Sequence, residues 1–316
     1  MKVLLTIISL VVLISCDVGE IPLDPITNEK EICTIPMGSN YITQTYYNLE
    51  NNQIVSQNNR TDWDIAFESK QDSNYIYLNS SKFTQAWLIS ETVFGEPINL
   101  EQAVWQWDQP CLLNNGTAIN ISTQEDVYYV IDLGLDENLE GSGFVKFKVI
   151  NSDSNGYTFR YSSIDNSTDT TLSVNKNDSY NKIHFSFINN SIVSIEPQST
   201  DWNLLFSSYT HIFSENTPYL VTGVLINSQL VSVACDTSSL FDEISINSVQ
   251  GLSYSNCDDI IGYNWKTFNF ESNSFTIDQT KTYIVKKDNE YYKLRFLDFY
   301  NESGEKGYPQ FEILKL

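Results

Sequence analysis

Only two histidines occur in the 316-residue chain, His184 and His211. Imidazole is the side chain best suited to ligate a transition metal near neutral pH. Two of them cannot supply a multi-histidine metal site, and they make histidine-based catalytic triads improbable. His184 begins the run His184-Phe185-Ser186-Phe187, whose alternation places the imidazole on the strand face opposite both phenylalanines. That reads as a solvent-facing or hydrogen-bonded strand histidine. His211 is flanked by the aromatic residues Tyr209 and Phe213. Met37 is the one methionine beyond Met1.

The carboxylates give no catalytic pattern. Asp62 and Asp64 flank Trp63, but in a second occurrence of that motif Asp201 precedes Trp202 and Asn203 follows it. A reacting pair would need both acids, so structural roles are expected, with the first Asp capping a turn. The clusters Asp132/Asp136/Glu137/Glu140 and Asp258/Asp259 lack the Asp/Asn alternation, central Gly and terminal Glu of an EF-hand loop. No nucleophile elbow, P-loop or dinucleotide fingerprint is present. The chain reads as a binding protein, not an enzyme, with no resident metal site.

The cysteines speak of export. Lys2 precedes an apolar run from Leu4 to Ile14, too short to span a bilayer and closed by Leu13-Ile14-Ser15-Cys16. This resembles the lipobox of bacterial lipoproteins. Residues 1–15 are therefore expected to be a signal peptide and Cys16 to be lipidated. Residues 16–39, with Gly, Pro and acids but no sustained period, read as a flexible tether. Asp17 and Glu20 loosely resemble the surface-export signal of Bacteroidetes lipoproteins. Cys33, Cys111, Cys235 and Cys257 remain, an even number that permits two disulfides in an exported chain. Local pairing, Cys33–Cys111 and Cys235–Cys257, would give each half one bridge.

The elements around these residues are strands. Aromatic residues make up 13% of the chain, with 19 Tyr and 17 Phe, a composition suited to half-buried sheets. Lys and Arg number 18 against 40 Asp and Glu, a net charge of −22 that excludes a nucleic-acid surface. The chain also contains itself twice. Residues 46–56 parallel 184–194, and 61–69 parallel 200–208. Residues 129–131, 146–150 and 155–159 parallel 283–285, 293–297 and 306–311 in the same order. The expected architecture is all-β: two tandem antiparallel domains at 40–165 and 176–316, cut apart near 165–175. Trp63 and Trp202 would anchor their cores.

Two blocks carry a family resemblance. Asp62-Trp63-Asp64-Ile65-Ala66-Phe67 and the run from Tyr291 to Tyr300, closing on Gly307-Tyr308-Pro309-Gln310-Phe311, resemble the HmuY-like haem-binding lipoproteins. The C-terminal copy is the fuller match, with Pro218 to Leu225 and Trp265, and the N-terminal copy is degenerate. The resemblance implies an outer-membrane, surface-exposed lipoprotein that binds haem without catalysis and hands it to an outer-membrane haem transporter. It also implies loop-borne His or Met ligands to the iron. Here those are His211 and His184, with Tyr209 and Phe213 as pocket walls, and neither His nor Met follows Asn40 in the first copy. A structural, interaction or glycan-binding lipoprotein without haem is the other reading, on the strength of Trp87, Trp105 and Trp107.

Overall fold

A computed structural model describes residues 30–316 except 91, 112–115 and 122–126. The signal peptide and Cys16 lie outside the described residues. The fold is all-β, as the composition demands, and its strands form four main antiparallel sheets.

The strands in chain order are β1 (Glu31–Thr34), β2 (Thr43–Asn48), β3 (Gln53–Asn59), β4 (Ile65–Glu68), β5 (Ile76–Leu78), β6 (Gln85–Ile89), β7 (Tyr128–Asp132), β8 (Phe144–Ser152), β9 (Gly156–Ser163) and β10 (Asp169–Asn175). They continue as β11 (Lys182–Ser186), β12 (Ser191–Val193), β13 (Leu204–Phe213), β14 (Thr217–Ile226), β15 (Ser232–Asp236), β16 (Lys266–Asn269), β17 (Ser274–Ile277), β18 (Thr282–Lys287), β19 (Glu290–Tyr300) and β20 (Lys306–Lys315). One sheet runs β10-β9-β8-β7-β6 and its counterpart β1-β20-β19-β18-β15. The two inner sheets run β12-β11-β4-β5 and β14-β13-β2-β3, and β16 and β17 form a separate hairpin.

Alternation along the strands sorts their side chains into cores. Ile65 and Phe67 of β4, with Phe185 and Phe187 at β11, pack against Ile131, Phe147 and Phe159 of the first outer sheet. Tyr47 of β2 and Leu204 and Phe206 of β13 pack against Val285, Leu294, Phe296 and Phe311 of the other. Each inner sheet also buries its second face. Tyr46, Trp63, Ala66, Tyr77, Ile195 and Trp202 form a smaller cluster where the inner sheets meet. The molecule is thus two sandwiches set inner face to inner face.

This arrangement corrects the domain boundaries. Among the described residues, the core of lobe 1 draws on those between Ile65 and Phe187, so lobe 1 is β4 to β12. Lobe 2 is β1 to β3 joined with β13 to β20, and lobe 1 is inserted between those two parts. The first hairpin of each sequence copy therefore pairs with the Trp strand of the other: β2 with β13, and β11 with β4. The halves 40–165 and 176–316 are not the units that pack.

The tether also ends earlier than its composition indicates. β1 pairs with β20, and Ile35 and Met37 are buried in the lobe 2 core. An isolated stretch without a period can still be captured as an edge strand when a partner waits elsewhere in the chain. Cysteine pairing differs too. Cys111 bonds Cys257 across the lobes, with Cα atoms 4.8 Å apart, while Cys33 and Cys235 are free thiols. Cys33 donates to Asn52 Oδ1 at 2.7 Å. Proximity in sequence misled here because the lobes, not the sequence halves, decide which loops meet.

Candidate functional site

The repeated Trp motif builds the interface between lobes, not their separate cores. Trp63 meets His184 edge-on at 4.6 Å between ring centroids, and Trp202 meets Tyr46 in the same way at 5.0 Å. His184 and Tyr46 fall at matching positions of the repeated sequence blocks. The neighbouring polar residues repeat the pattern. Asp64 Oδ2 accepts the Phe187 amide at 2.7 Å, and Asn203 Oδ1 accepts the Leu49 amide at 2.7 Å. Asn79 Nδ2 donates to the Trp63 carbonyl at 2.7 Å, and Asn227 Nδ2 to that of Trp202 at 3.1 Å. The first position after each Trp therefore holds the end of the partner hairpin, a task that either Asp or Asn can perform. Asp64 has no catalytic partner, which fits its replacement by Asn203.

His184 is buried in this interface, only 4% exposed, rather than facing solvent. Burial, reinforced by the charge of Lys182, holds its imidazole neutral by lowering its pKa to about 3. The sign of the consequence is fixed. An unfolded histidine takes a proton near pH 6.5, and the folded one resists it until about 3. The unfolded state therefore binds more protons across that window, and stability falls as pH falls. Asp108 and Glu196 act oppositely, since burial raises them to about 6 and about 7 and their contribution is lost as pH rises through those values. Replacing His184 with Gln is expected to gain on the wild type by up to about 1.4 kcal/mol per pH unit between pH 6 and 4. Urea unfolding at each pH reads this out, and parallel curves for the two proteins would refute it.

His211 lies elsewhere, near the end of the β13–β14 hairpin. Period-two alternation along β13 puts Tyr209, His211 and Phe213 on one side. The His211 ring stands 6.4 Å from Tyr209 and 4.8 Å from Phe213, centroid to centroid. The structure thus groups three of the residues expected to act together and separates His184 from them. Tyr209 is fully buried, while Phe213 is 38% exposed. Two further residues complete the cluster: Asp259, whose Oδ2 is 3.1 Å from His211 Nδ1, and Tyr263, 5.1 Å from the imidazole ring. Tyr219 of β14 approaches Phe213 at 6.4 Å and is largely exposed.

The loop bearing Asp259 and Tyr263 is held by close backbone contact. Gly262 adopts φ +61° and exchanges hydrogen bonds with Val224, each 2.9 Å. A Cβ on Gly223 would lie 2.3 Å from the Gly262 carbonyl oxygen, so only glycine lets the loop sit this near β14. The Cys111–Cys257 bridge fixes the same loop two residues before Asp259.

The HmuY protein family matches residues 40–313, almost all of the described chain. The chain belongs to the HmuY family. Among solved structures, the apo HmuY analogue of Tannerella forsythia is similar at 13% identity, covering 91% of this chain and 95% of that one, with a TM-score of 0.33. Apo PinO, from Porphyromonas, is similar at 9% identity over 91% and 97%, TM-score 0.29. A candidate HmuY-like heme-binding protein of Bacteroides vulgatus is similar at 18% identity over 54% and 91%, TM-score 0.20. No curated protein matches.

The described His and Met side chains differ sharply in access. Met37 is fully buried in the lobe 2 core and His184 lies between the lobes. Among the described residues, His211 is the one His or Met that reaches an open aromatic surface. Asp259 and Tyr263 escaped the sequence reading because they lie about fifty residues beyond His211. The only sign of them was the Asp258/Asp259 pair, whose composition pointed equally to a solvated loop. Trp87 and Trp105 are half-buried and lie 6.3 Å apart, with Trp105 stacked on Phe144 at 5.9 Å. They pack against the cluster of Ile89, Phe94, Tyr128 and Val130 in lobe 1.

Proposed function

We propose that the chain is a haem-binding carrier with no reaction of its own, and that it takes haem at the end of the β13–β14 hairpin with His211 as axial ligand. The observation that carries this is the His211–Asp259 contact at 3.1 Å. A carboxylate on Nδ1 fixes the tautomer and ring orientation of a ligating histidine and raises its basicity. It leaves Nε2 for iron. The rings of Phe213, Tyr219 and Tyr263 supply an aromatic wall for a porphyrin. Membership of the HmuY family supports the same ligand.

The residues fit a haem held by one histidine, not by a pair. The expected product is a five-coordinate, high-spin iron. Titration of haemin into the chain from Asp17 onward should shift the Soret band and saturate at one equivalent. His211→Ala should weaken binding at least tenfold, and Asp259→Asn by less. His184→Gln should leave the spectrum unchanged. An unaltered haemin spectrum at stoichiometric ratio would defeat the carrier reading, and an interaction lipoprotein would take its place. In this proposal lipidated Cys16 anchors the protein to the outer membrane, surface-exposed, where it passes haem to an outer-membrane transporter.

A further inference from the structure

A cavity lies between the two inner sheets, with a volume of about 140 Å³. We infer that it is a binding site for a compact organic ammonium ion, independent of the haem reading. Three carboxyl groups line it, from Asp108, Glu196 and Asp258, against one lysine, Lys182. Its walls are aromatic, with Tyr46 and Trp202 on the lobe 2 side of the interface cluster and Trp63 and Tyr77 on the lobe 1 side. Excess negative charge beside aromatic faces is the combination that recognises an organic cation. The cavity already displays the contact it would make: Lys182 Nζ lies 4.2 Å from the centroid of the Tyr77 ring.

The lining has unused hydrogen-bonding capacity. Glu196 is well served, accepting from Trp202 Nε1 at 3.1 Å and the Lys182 amide at 3.0 Å. Asn181, 5% exposed, is not: its Nδ2 donates to Asn227 Oδ1 at 3.0 Å, but its own Oδ1 has no partner. Trp63 Nε1 is likewise buried and unpaired. An orphaned buried acceptor costs about 1–3 kcal/mol, and a ligand N–H would remove that cost. At about 30 Å³ per water molecule, the space matches a ligand of about five non-hydrogen atoms. Pro110 and Asp258 both line it, each next to a half of the Cys111–Cys257 bridge.

Ethanolamine is the probe, and ethylene glycol is its neutral counterpart of the same length. Calorimetry and quenching of Trp63 and Trp202 fluorescence on the full soluble chain should show saturable binding of ethanolamine alone. Binding should tighten from pH 5.5 to 7.5, because burial raises Asp108 to about 6 and Glu196 to about 7, and raises Asp258 as well. The other facing groups do not change charge to oppose this: His184 is neutral above about 3, and burial raises Tyr46, Tyr77 and Tyr209. Glu196→Gln should weaken binding at least tenfold. Asp258→Asn, whose side chain bonds that of Ser228, provides a second variant should Glu196→Gln unfold. Equal binding of ethylene glycol, no saturable signal with ethanolamine, or wild-type affinity in a folded Asp258→Asn would each overturn the assignment. Haemin titration of the same samples is a separate readout, so failure here leaves the carrier proposal standing and the reverse.

Discussion

Residues 61–197 expressed alone are expected to fold cooperatively, whereas a chain cut near 165–175 is expected to give two fragments that do not. All the buried side chains of the lobe 1 core lie between Ile65 and Phe187, so the first fragment keeps its core whole. The cut at 165–175 removes Phe185 and Phe187 from that core and Ile35, Met37, Tyr47 and Leu49 from the other. Each large buried side chain lost costs about 2–5 kcal/mol. Four such losses total about 8–20 kcal/mol, comparable with the whole stability of an ordinary domain, about 5–15 kcal/mol. Circular dichroism melts and amide proton dispersion of fragments 61–197 and 176–316 distinguish the cases. A cooperative melt of 176–316 by itself would restore the tandem boundaries.

Asp64→Asn is expected to cost about 3–5 kcal/mol, and adding Lys82→Leu to recover most of it. Asp64 Oδ1 and Lys82 Nζ form an ion pair at 2.5 Å, each side chain 1% exposed. Removing one charge strands the other in a medium that solvates it poorly. The rescue is not arbitrary. Lys82 lies three residues after Asn79 and Leu230 three after Asn227, so the matching pair in lobe 2 is Asn203 and Leu230. The double variant gives lobe 1 the arrangement that lobe 2 already uses. Chemical denaturation of the wild type, Asp64→Asn, Lys82→Leu and the double variant measures the cycle. A single variant as stable as wild type would show that the buried pair contributes nothing.

The strands and the repeat were legible because alternation and self-similarity are local properties of a sequence. The lobe boundaries were not, because a repeat shows its period but not its origin. Nothing within residues 46–56 says whether that hairpin pairs with Trp63's strand or Trp202's. The same limit explains the disulfide: Cys111 and Cys257 are 146 residues apart and meet only because the lobes face each other. Trp63 and Trp202 were identified as buried anchors, but their faces were not, since β4 and β13 bury both sides. His211 with Tyr209 and Phe213 could be grouped from spacing alone. Asp259 and Tyr263 reach them through a loop whose path depends on Gly223 and Gly262, which no periodicity reveals. The repeated lysines Lys146 and Lys293 illustrate the same point. They were visible as matching residues, but not as buried ammonium groups donating to the carbonyls of Phe94 (2.7 Å) and Phe241 (2.6 Å).

The pairing of β1 with β20 sets an order of events during synthesis. Glu31 lies opposite Ile313, so lobe 2 cannot close until β20 has been made. Lobe 1 has all its strands by Val193 and can complete itself while β1, β2 and β3 remain without their partners. Contacts between the two ends of a chain are the slowest to form, because the loop between them must close first. Here the finished lobe 1 shortens that search, since its two ends already lie at one interface. The late lobe is the one that carries His211, so the proposed haem ligand acquires its surroundings only once β20 is present.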